Sequence, residues 1–363
     1  MTPKISTSAL PSRLGCARRE PRRWAARTLA LLPAVLLAAA NVALNEAQGQ
    51  SLQPWVPGPY GVGVRNVTFT KPSVTYPNEQ RVLGTFIWYP ADPVSASFDK
   101  HPHGLSGAPF APGLTRAPLV LFSHGSCSLP TQYLSLTAFL PSYGFVVAAP
   151  PHPGNTSVDR CDTPEAVVDA IVNRPADISF IIDSLLAQSD TPDSFFHDAI
   201  DPARIGAMGH SYGGLTTLRI SASDHRVIAG LMLAPGGYYV MGSTLDDEIA
   251  RIAIPMMIQE GDLEPFAPFT IRGARYFYDL LRPPRYLVQI GGVGHTGFYD
   301  RCGLPERCGQ PGMLTQDEAH QLILRYAVPF LLQYVAGDHR FETLLEPAAA
   351  PPGVEFTADT GGS

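Results

Sequence analysis

The chain of 363 residues is poor in charge and in cysteine: 16% of its residues are Asp, Glu, Lys or Arg, and five are Cys. None of the cysteines forms a close C-x-x-C pair, and no pair of histidines stands at the spacing that would complete such a site. A structural metal site therefore has no support in the sequence, and no cofactor motif is present. An apolar run at Leu29–Ala40 has 12 residues and is interrupted by Pro33, too short to span a bilayer comfortably. There is no internal repeat and no stretch left over for a second folded domain. Low charge combined with 45% hydrophobic residues excludes a disordered chain. The 33 glycines and 36 prolines exclude a plain helical bundle and imply many loops.

The N-terminus reads as a targeting segment. Lys4, Arg13, Arg18, Arg19, Arg22, Arg23 and Arg27 precede the short apolar run, and Ala47-Gln48-Gly49 offers small residues for cleavage. Residues 1–49 are expected to be a signal peptide, residues 50–345 a catalytic domain, and the Ala/Pro/Gly-rich residues 346–363 a disordered tail. The first 49 residues hold seven of the 26 basic and two of the 32 acidic residues, which leaves the remainder at a net charge of −11. Such a chain has no electrostatic footprint for nucleic acid. The expected location is secreted or periplasmic, with no membrane span once the signal is removed. Cys16 leaves with the signal, and four cysteines in an exported chain allow three disulfide pairings. Cys302–Cys308, closing a short loop, and Cys127–Cys161, tying two loops that follow neighbouring strands, are favoured.

Period-two alternation marks strands at residues 60–70 and 81–89. The continuous apolar runs at 119–122 and 145–149 are those of strands buried on both faces. Further strands are expected at 204–208, 228–233, 255–259 and 285–290. Helices are expected over 130–142, from about Pro175, around 215–221 and 274–281, and near 316–335. Ile178, Ile181, Ile182, Leu185 and Leu186 make a one-sided stripe, and Pro175 suits the first turn of that helix. Residues 91–117 read as a long surface loop. Strand and helix alternate, so the expected fold class is α/β: a mostly parallel sheet with helices on both faces and no large cap domain.

Gly209-His210-Ser211-Tyr212-Gly213 is a G-x-S-x-G that follows a strand and opens a helix, the setting of a nucleophile elbow. The turn exposes the Ser211 hydroxyl, which needs a base to attack a carbonyl. His295 is that base by its place in the glycine-rich loop just past what reads as the last sheet strand. Asp262, after the strand at 255–259, is the acid that would fix its tautomer, with Glu260 and Glu264 as rivals. The order Ser…Asp…His is that of this catalytic class. Two backbone N–H groups must hold the oxyanion. These are assigned to Tyr212 and, from the loop Ser123-His124-Gly125-Ser126, to Ser126, with Gly125 or Cys127 as alternatives. His210 is expected to face away from the cleft and His124 to buttress the oxyanion loop. Tyr238, Tyr239, Phe266 and Phe269 could line a pocket or simply fill core.

These residues resemble the α/β-hydrolase superfamily over roughly residues 58–340. Arg81…Trp88-Tyr89-Pro90, Ser123-His124-Gly125, the stretch from Gly144 to Thr156, and Arg174-Pro175-Ala176-Asp177-Ile178 resemble the predicted dienelactone hydrolases. That group is related to platelet-activating-factor acetylhydrolases and cutinase-like polyester hydrolases. The resemblance implies an α/β-hydrolase fold and cofactor-free cleavage of carboxylic esters, small-molecule or lipid-like. Dienelactone hydrolases use a cysteine nucleophile where this chain has Ser211. The acetylhydrolases carry their acid after the strand that follows the elbow, where this chain reads Leu233-Ala234-Pro235-Gly236-Gly237. Asp262 matches the cutinase-like placement instead. A peptidase or amidase with the same triad, or an inactive hydrolase-like binding protein, remain the alternative functions.

Overall fold

The computed structural model describes residues 53–92, 104–161, 163–236, 244–263, 273–303 and 308–362. The expected signal peptide lies outside them. Ten strands form one sheet: β1 Gly61–Pro72, β2 Gln80–Ala91, β3 Leu105–Ser106, β4 Ala117–Ser123, β5 Val146–Ala149, β6 Ile200–His210, β7 Val227–Leu233, β8 Met256–Gly261, β9 Arg285–Ile290 and β10 Val354–Asp359. Their order is β10-β9-β8-β7-β6-β4-β5-β2-β1-β3. The six strands from β5 to β9 are parallel to one another, while β1, β2 and β10 pair antiparallel. The helices are α1 Leu134–Thr137, α2 Pro164–Asp190, α3 Tyr212–Ser223, α4 Thr244–Arg251, α5 Ala274–Leu280 and α6 Gln316–Leu331.

The apolar runs divide between two faces because successive side chains in a strand point to opposite sides. Leu119, Leu121, Val146, Ala148 and Ala207 pack with Ile178, Ile181, Ile182 and Leu185 of α2. Val120, Phe122, Val147 and Met208 pack on the other face with Ile323, Tyr326, Ala327 and Phe330 of α6. Met232, Met256 and Ile258 meet Leu215 and Leu218 of α3 and Phe277 of α5. Each such aliphatic side chain contributes about 1.5–3 kcal/mol on burial. The disulfides pair Cys127 with Cys161 and Cys302 with Cys308.

Three segments depart from the sequence expectation. Residues 130–142 are a broken helix: a 3₁₀ turn at Pro130–Gln132, the single turn α1, and another 3₁₀ turn at Leu140–Tyr143. Pro141 removes a backbone donor, and the Asp300 carboxylate accepts from the Leu134 and Ser135 amides at 2.7 Å each, which starts a turn afresh at Leu134.

The C-terminal residues form no loose tail. β10 pairs with β9 along its whole length, from Val354 opposite Ile290 to Asp359 opposite Arg285. Val354, Phe356 and Ala358 stand on one side of the strand and pack against the core. Their period-two spacing is hidden by the Pro- and Ala-rich composition around it. The folded domain therefore runs past residue 345.

Helix α2 begins at Pro164, capped by the Thr163 hydroxyl on the Ala166 amide, and Pro175 lies inside it. Proline has no N–H, so the Ile171 carbonyl four residues earlier loses its helical donor. Arg219 Nη1, from α3, donates to that carbonyl instead. The helix stays continuous because a side chain replaces the missing amide. The replacement is testable by a double-mutant cycle in urea. Arg219→Met should cost about 1–3 kcal/mol by orphaning the Ile171 carbonyl. Adding Pro175→Ala, which restores an N–H at that place, should recover part of the loss only in the Arg219→Met background. Equal effects of Pro175→Ala in both backgrounds would sink the account.

Candidate active site

Strand β6 ends at His210 and α3 starts at Tyr212, so Ser211 occupies the turn between them. Its backbone has φ 55° and ψ −118°, a region non-glycine residues avoid. The surroundings hold it there. The Ser211 amide donates to the Leu233 carbonyl at 2.9 Å, and its own carbonyl accepts from the Gly214 and Gly236 amides at 2.9 and 3.1 Å. Both glycines of the motif are required by close backbone approach. A Cβ on Gly209 would lie 2.3 Å from the Gly213 carbonyl oxygen, and one on Gly213 would lie 1.9 Å from the Ser123 oxygen.

His295 opens a 3₁₀ turn after β9. The loop before it is fixed at several points. The Gly291 amide donates to the Gly353 carbonyl at 2.8 Å, next to β10, and the Leu314 amide to the Gly292 carbonyl at 2.9 Å. The Leu263 amide donates to the Val293 carbonyl at 3.0 Å, joining the turn after β8 to the same loop. His295 Nε2 then stands 2.9 Å from Ser211 Oγ. The structure thus brings together Ser211 and His295, the residues expected as nucleophile and base.

Asp262 lies on the turn after β8, and its Oδ1 accepts from the Gly292 amide at 2.7 Å, three residues before His295. Its rival Glu260 is the last but one residue of β8, while Glu264 falls outside the described residues, as do Tyr238, Tyr239, Phe266 and Phe269. Tyr212 holds the first helical position of α3, where N–H groups point out of the helix end. In the loop after β4, the Gly125 amide is already engaged, donating to Tyr133 Oη at 3.0 Å. Cys127 has φ 54° and is tied to Cys161. Between these two, Ser126 is partly exposed and its hydroxyl accepts from Asn155 Nδ2 at 3.2 Å.

His210 is fully buried, but it does not turn away from the catalytic groups. Its Nε2 donates to the His295 carbonyl at 3.0 Å, and its Nδ1 accepts from Tyr133 Oη at 3.0 Å. That protonation is the tautomer the carbonyl demands. One chain of bonds therefore runs from the oxyanion loop through Tyr133 and His210 to the backbone of the base.

A second buried network lies behind β4. Asp177 accepts from Arg81 Nη2 at 2.7 Å and from His152 Nδ1 at 3.0 Å. His152 Nε2 takes the Ser123 hydroxyl at 3.0 Å. Arg174 reaches the carbonyls of the oxyanion loop. Sequence reasoning placed His124 here as a buttress, and its Nδ1 does donate to the Gly125 carbonyl at 2.8 Å. It did not find Arg174, Asp177, Tyr133 or the bonding of His210. One sign was present: Arg174 and Asp177 lie four residues before Ile178 and Ile181, on the apolar side of α2, where a charge must have a partner. Among the described residues, no cluster of His, Cys, Asp or Glu is arranged to hold a metal, and no helix is long and apolar enough to cross a membrane.

Burial, with the Arg174 charge, pushes His152 down to about 4. Burial also lowers His124 and His210 well below the usual histidine value. The unfolded chain binds these protons below pH 6.5 and the folded one does not, so stability should fall as pH drops from 6.5 towards 4. At 1.36 kcal/mol per unit the His152 share is roughly 3 kcal/mol. For Asp177, burial raises the carboxyl but the His152 and Arg81 bonds outweigh it, so the net value is lowered. Its stabilisation is present above the ordinary carboxylate range and is lost only further into acid. Urea midpoints at pH 6.5 and 4.5 check the first window, and equal midpoints would show that the folded protein accepts these protons.

The model of the "Alpha/beta hydrolase family" matches residues 120–361. Cutinase 2 of Thermobifida cellulosilytica is 24% identical over 210 residues, 57% of this chain and 64% of that protein. Cutinase cut1 of Thermobifida fusca is 24% identical over 210 residues, 53% of its length, so the chain spans between half and two thirds of these cutinases. The platelet-activating factor acetylhydrolase of Bos taurus is 24% identical over 336 residues, 73% of this chain and 70% of that protein. The solved ferulic acid esterase from Streptomyces cinnamoneus superposes with a TM-score of 0.61 at 22% identity, covering 84% of this chain and 99% of that one, which shows a shared fold.

Proposed function

The chain belongs to the alpha/beta hydrolase family, and from that premise we propose that it is an exported serine esterase cleaving carboxylic esters through an acyl-enzyme. The observation that carries the reading is the 2.9 Å approach of His295 Nε2 to Ser211 Oγ on a strained elbow. Ser211 attacks the ester carbonyl while His295 takes its proton, then returns it to the leaving alcohol. The N–H groups of Tyr212 and Ser126 hold the oxyanion. Water, activated by the same imidazole, cleaves the acyl-enzyme.

The acid is assigned to the turn after β8, with Asp262 as its residue. The bond from the Gly292 amide to Asp262 sets that carboxylate against the base loop. The named activities of the relatives support an ester substrate, small-molecule or lipid-like. Short to medium acyl groups fit a chain without a large cap domain among its described residues. Two disulfides fit a secreted or periplasmic location.

Hydrolysis of p-nitrophenyl esters across acyl lengths, by the wild type and Ser211→Ala, tests the reading. The variant should lose roughly 10⁴- to 10⁶-fold in kcat. Equal rates, or an inactive wild type, would remove Ser211 from this chemistry. The acid is tested by Asp262→Asn beside Glu264→Gln. Asp262→Asn should lower kcat by about 10⁴-fold, with a much smaller effect of Glu264→Gln. The reverse pattern would move the role to Glu264 and leave Asp262 as the anchor of the Gly292 amide.

A further inference from the structure

Arg174 is completely buried, and its Nη1 and Nη2 donate to neutral oxygens. Nη1 donates to the His124 carbonyl at 2.6 Å; Nη2 donates to the Gly125 carbonyl at 3.1 Å and to Asn155 Oδ1 at 2.6 Å. The guanidinium carbon lies 5.0 Å from the centre of the Tyr212 ring. Asp177, one turn further along α2, is already held by Arg81 and His152. Taking a cation out of water is expensive, and dipoles alone offset it only when several are aimed at it. Burial lowers Arg174 only to about 10, so it stays charged at neutral pH.

The orientation of its partners is informative. Among the described residues the one cis peptide joins Pro283 and Pro284, so the Gly125–Ser126 peptide is trans. In a trans peptide the C=O and the following N–H point in opposite directions. With the Gly125 carbonyl drawn inward by Arg174 and by His124 Nδ1, at 3.1 and 2.8 Å, the Ser126 N–H is turned outward, away from the guanidinium. The Gly125 N–H meanwhile is taken by Tyr133.

We propose that Arg174 is the positioning residue of the oxyanion hole: its guanidinium grips two successive carbonyls and so aims and polarises the Ser126 N–H. This rests on the esterase reading given above. The guanidinium fork matters as much as its charge. A lysine is a point donor and cannot hold the His124, Gly125 and Asn155 oxygens together. A donor whose own carbonyl is bonded to a cation is also a stronger donor, because linked hydrogen bonds polarise one another. Arg174 touches no reacting atom; it acts through the peptide between itself and the substrate.

The test uses Arg174→Lys and Arg174→Met in the full protein, with matched p-nitrophenyl oxo- and thionoesters. The sulfur of a thionoester is a poor acceptor, so the ratio of oxoester to thionoester rates reads the oxyanion donors. Both variants should lose about 10²- to 10³-fold in kcat on the oxoester, the cost of one donor, with KM little changed. The oxo/thiono ratio should shrink by a similar factor. A merely structural residue would lower both rates together and leave the ratio intact, which would overturn the proposal. Should both variants fail to fold, Asn155→Ala keeps Arg174 and strips one of its anchors, and it is read against Ser126→Ala, which removes the Asn155–Ser126 side-chain bond alone. A smaller fall of the ratio is then expected, and an unchanged ratio overturns the proposal equally. Activity retained by Ser211→Ala would instead show that the esterase reading itself had failed.

Discussion

Three backbones pass at contact distance around Ser211: the end of β4, the end of β6 and the first turn of α3. The Ser123 carbonyl occupies the space where a side chain on Gly213 would stand. Everything else in the site depends on that approach. It forces the serine into a positive φ, which presents the hydroxyl at the sheet edge. It also brings the loop after β4, with its oxyanion candidates, directly against the elbow. The strain is sustained because the Ser211 amide and carbonyl are bonded to β7, to the segment after it and to α3.

Around that contact, polar groups are buried on a scale that needs strict pairing. Ser123, His124, His152, Arg174, Asp177 and His210 are each 2% exposed or less. An apolar filling would be simpler to stabilise. The arrangement instead connects things that must keep their relative positions. Tyr133 and His210 join the oxyanion loop to the backbone of His295. Arg81, Asp177 and His152 join β2, α2 and the loop after β5 to Ser123 at the end of β4. The Ser211 hydroxyl and the His295 imidazole, the pair proposed to carry the reaction, thus stand beside networks anchored in the core.

How much of this could be read in advance follows a physical division. The strands β4 to β9, the elbow and the place of His295 were legible because each is written within a few consecutive residues: an apolar run, a G-x-S-x-G, a glycine-rich loop. Both favoured disulfides are formed, Cys302–Cys308 as the closure of a short loop and Cys127–Cys161 as a tie between loops that follow neighbouring strands. The start of α2 was misplaced because Pro175 reads locally as a first-turn residue, and only Arg219 of α3 makes it tolerable inside a helix. The strand β10 was missed because composition outweighed the spacing of Val354, Phe356 and Ala358. The roles of His210 and Arg174 depend on carbonyls of residues 85 and about 50 positions away, which no local pattern carries.

Arg174 and Pro175 are consecutive, and this has a consequence for how the chain folds. The turn of α2 that carries the guanidinium is the turn whose backbone ladder proline interrupts, and the repair comes from α3, which begins at the elbow. Residues 171 and 219 are separated by 48 positions, so the repair is a long-range contact. Without Arg219 the Ile171 carbonyl would lack its donor, so the ladder of α2 would miss one bond in the turn that carries Arg174. α3, which begins just after Ser211, thus completes the turn of α2 that carries Arg174, so the proposed nucleophile and the proposed positioning residue stand on two helices locked to one another.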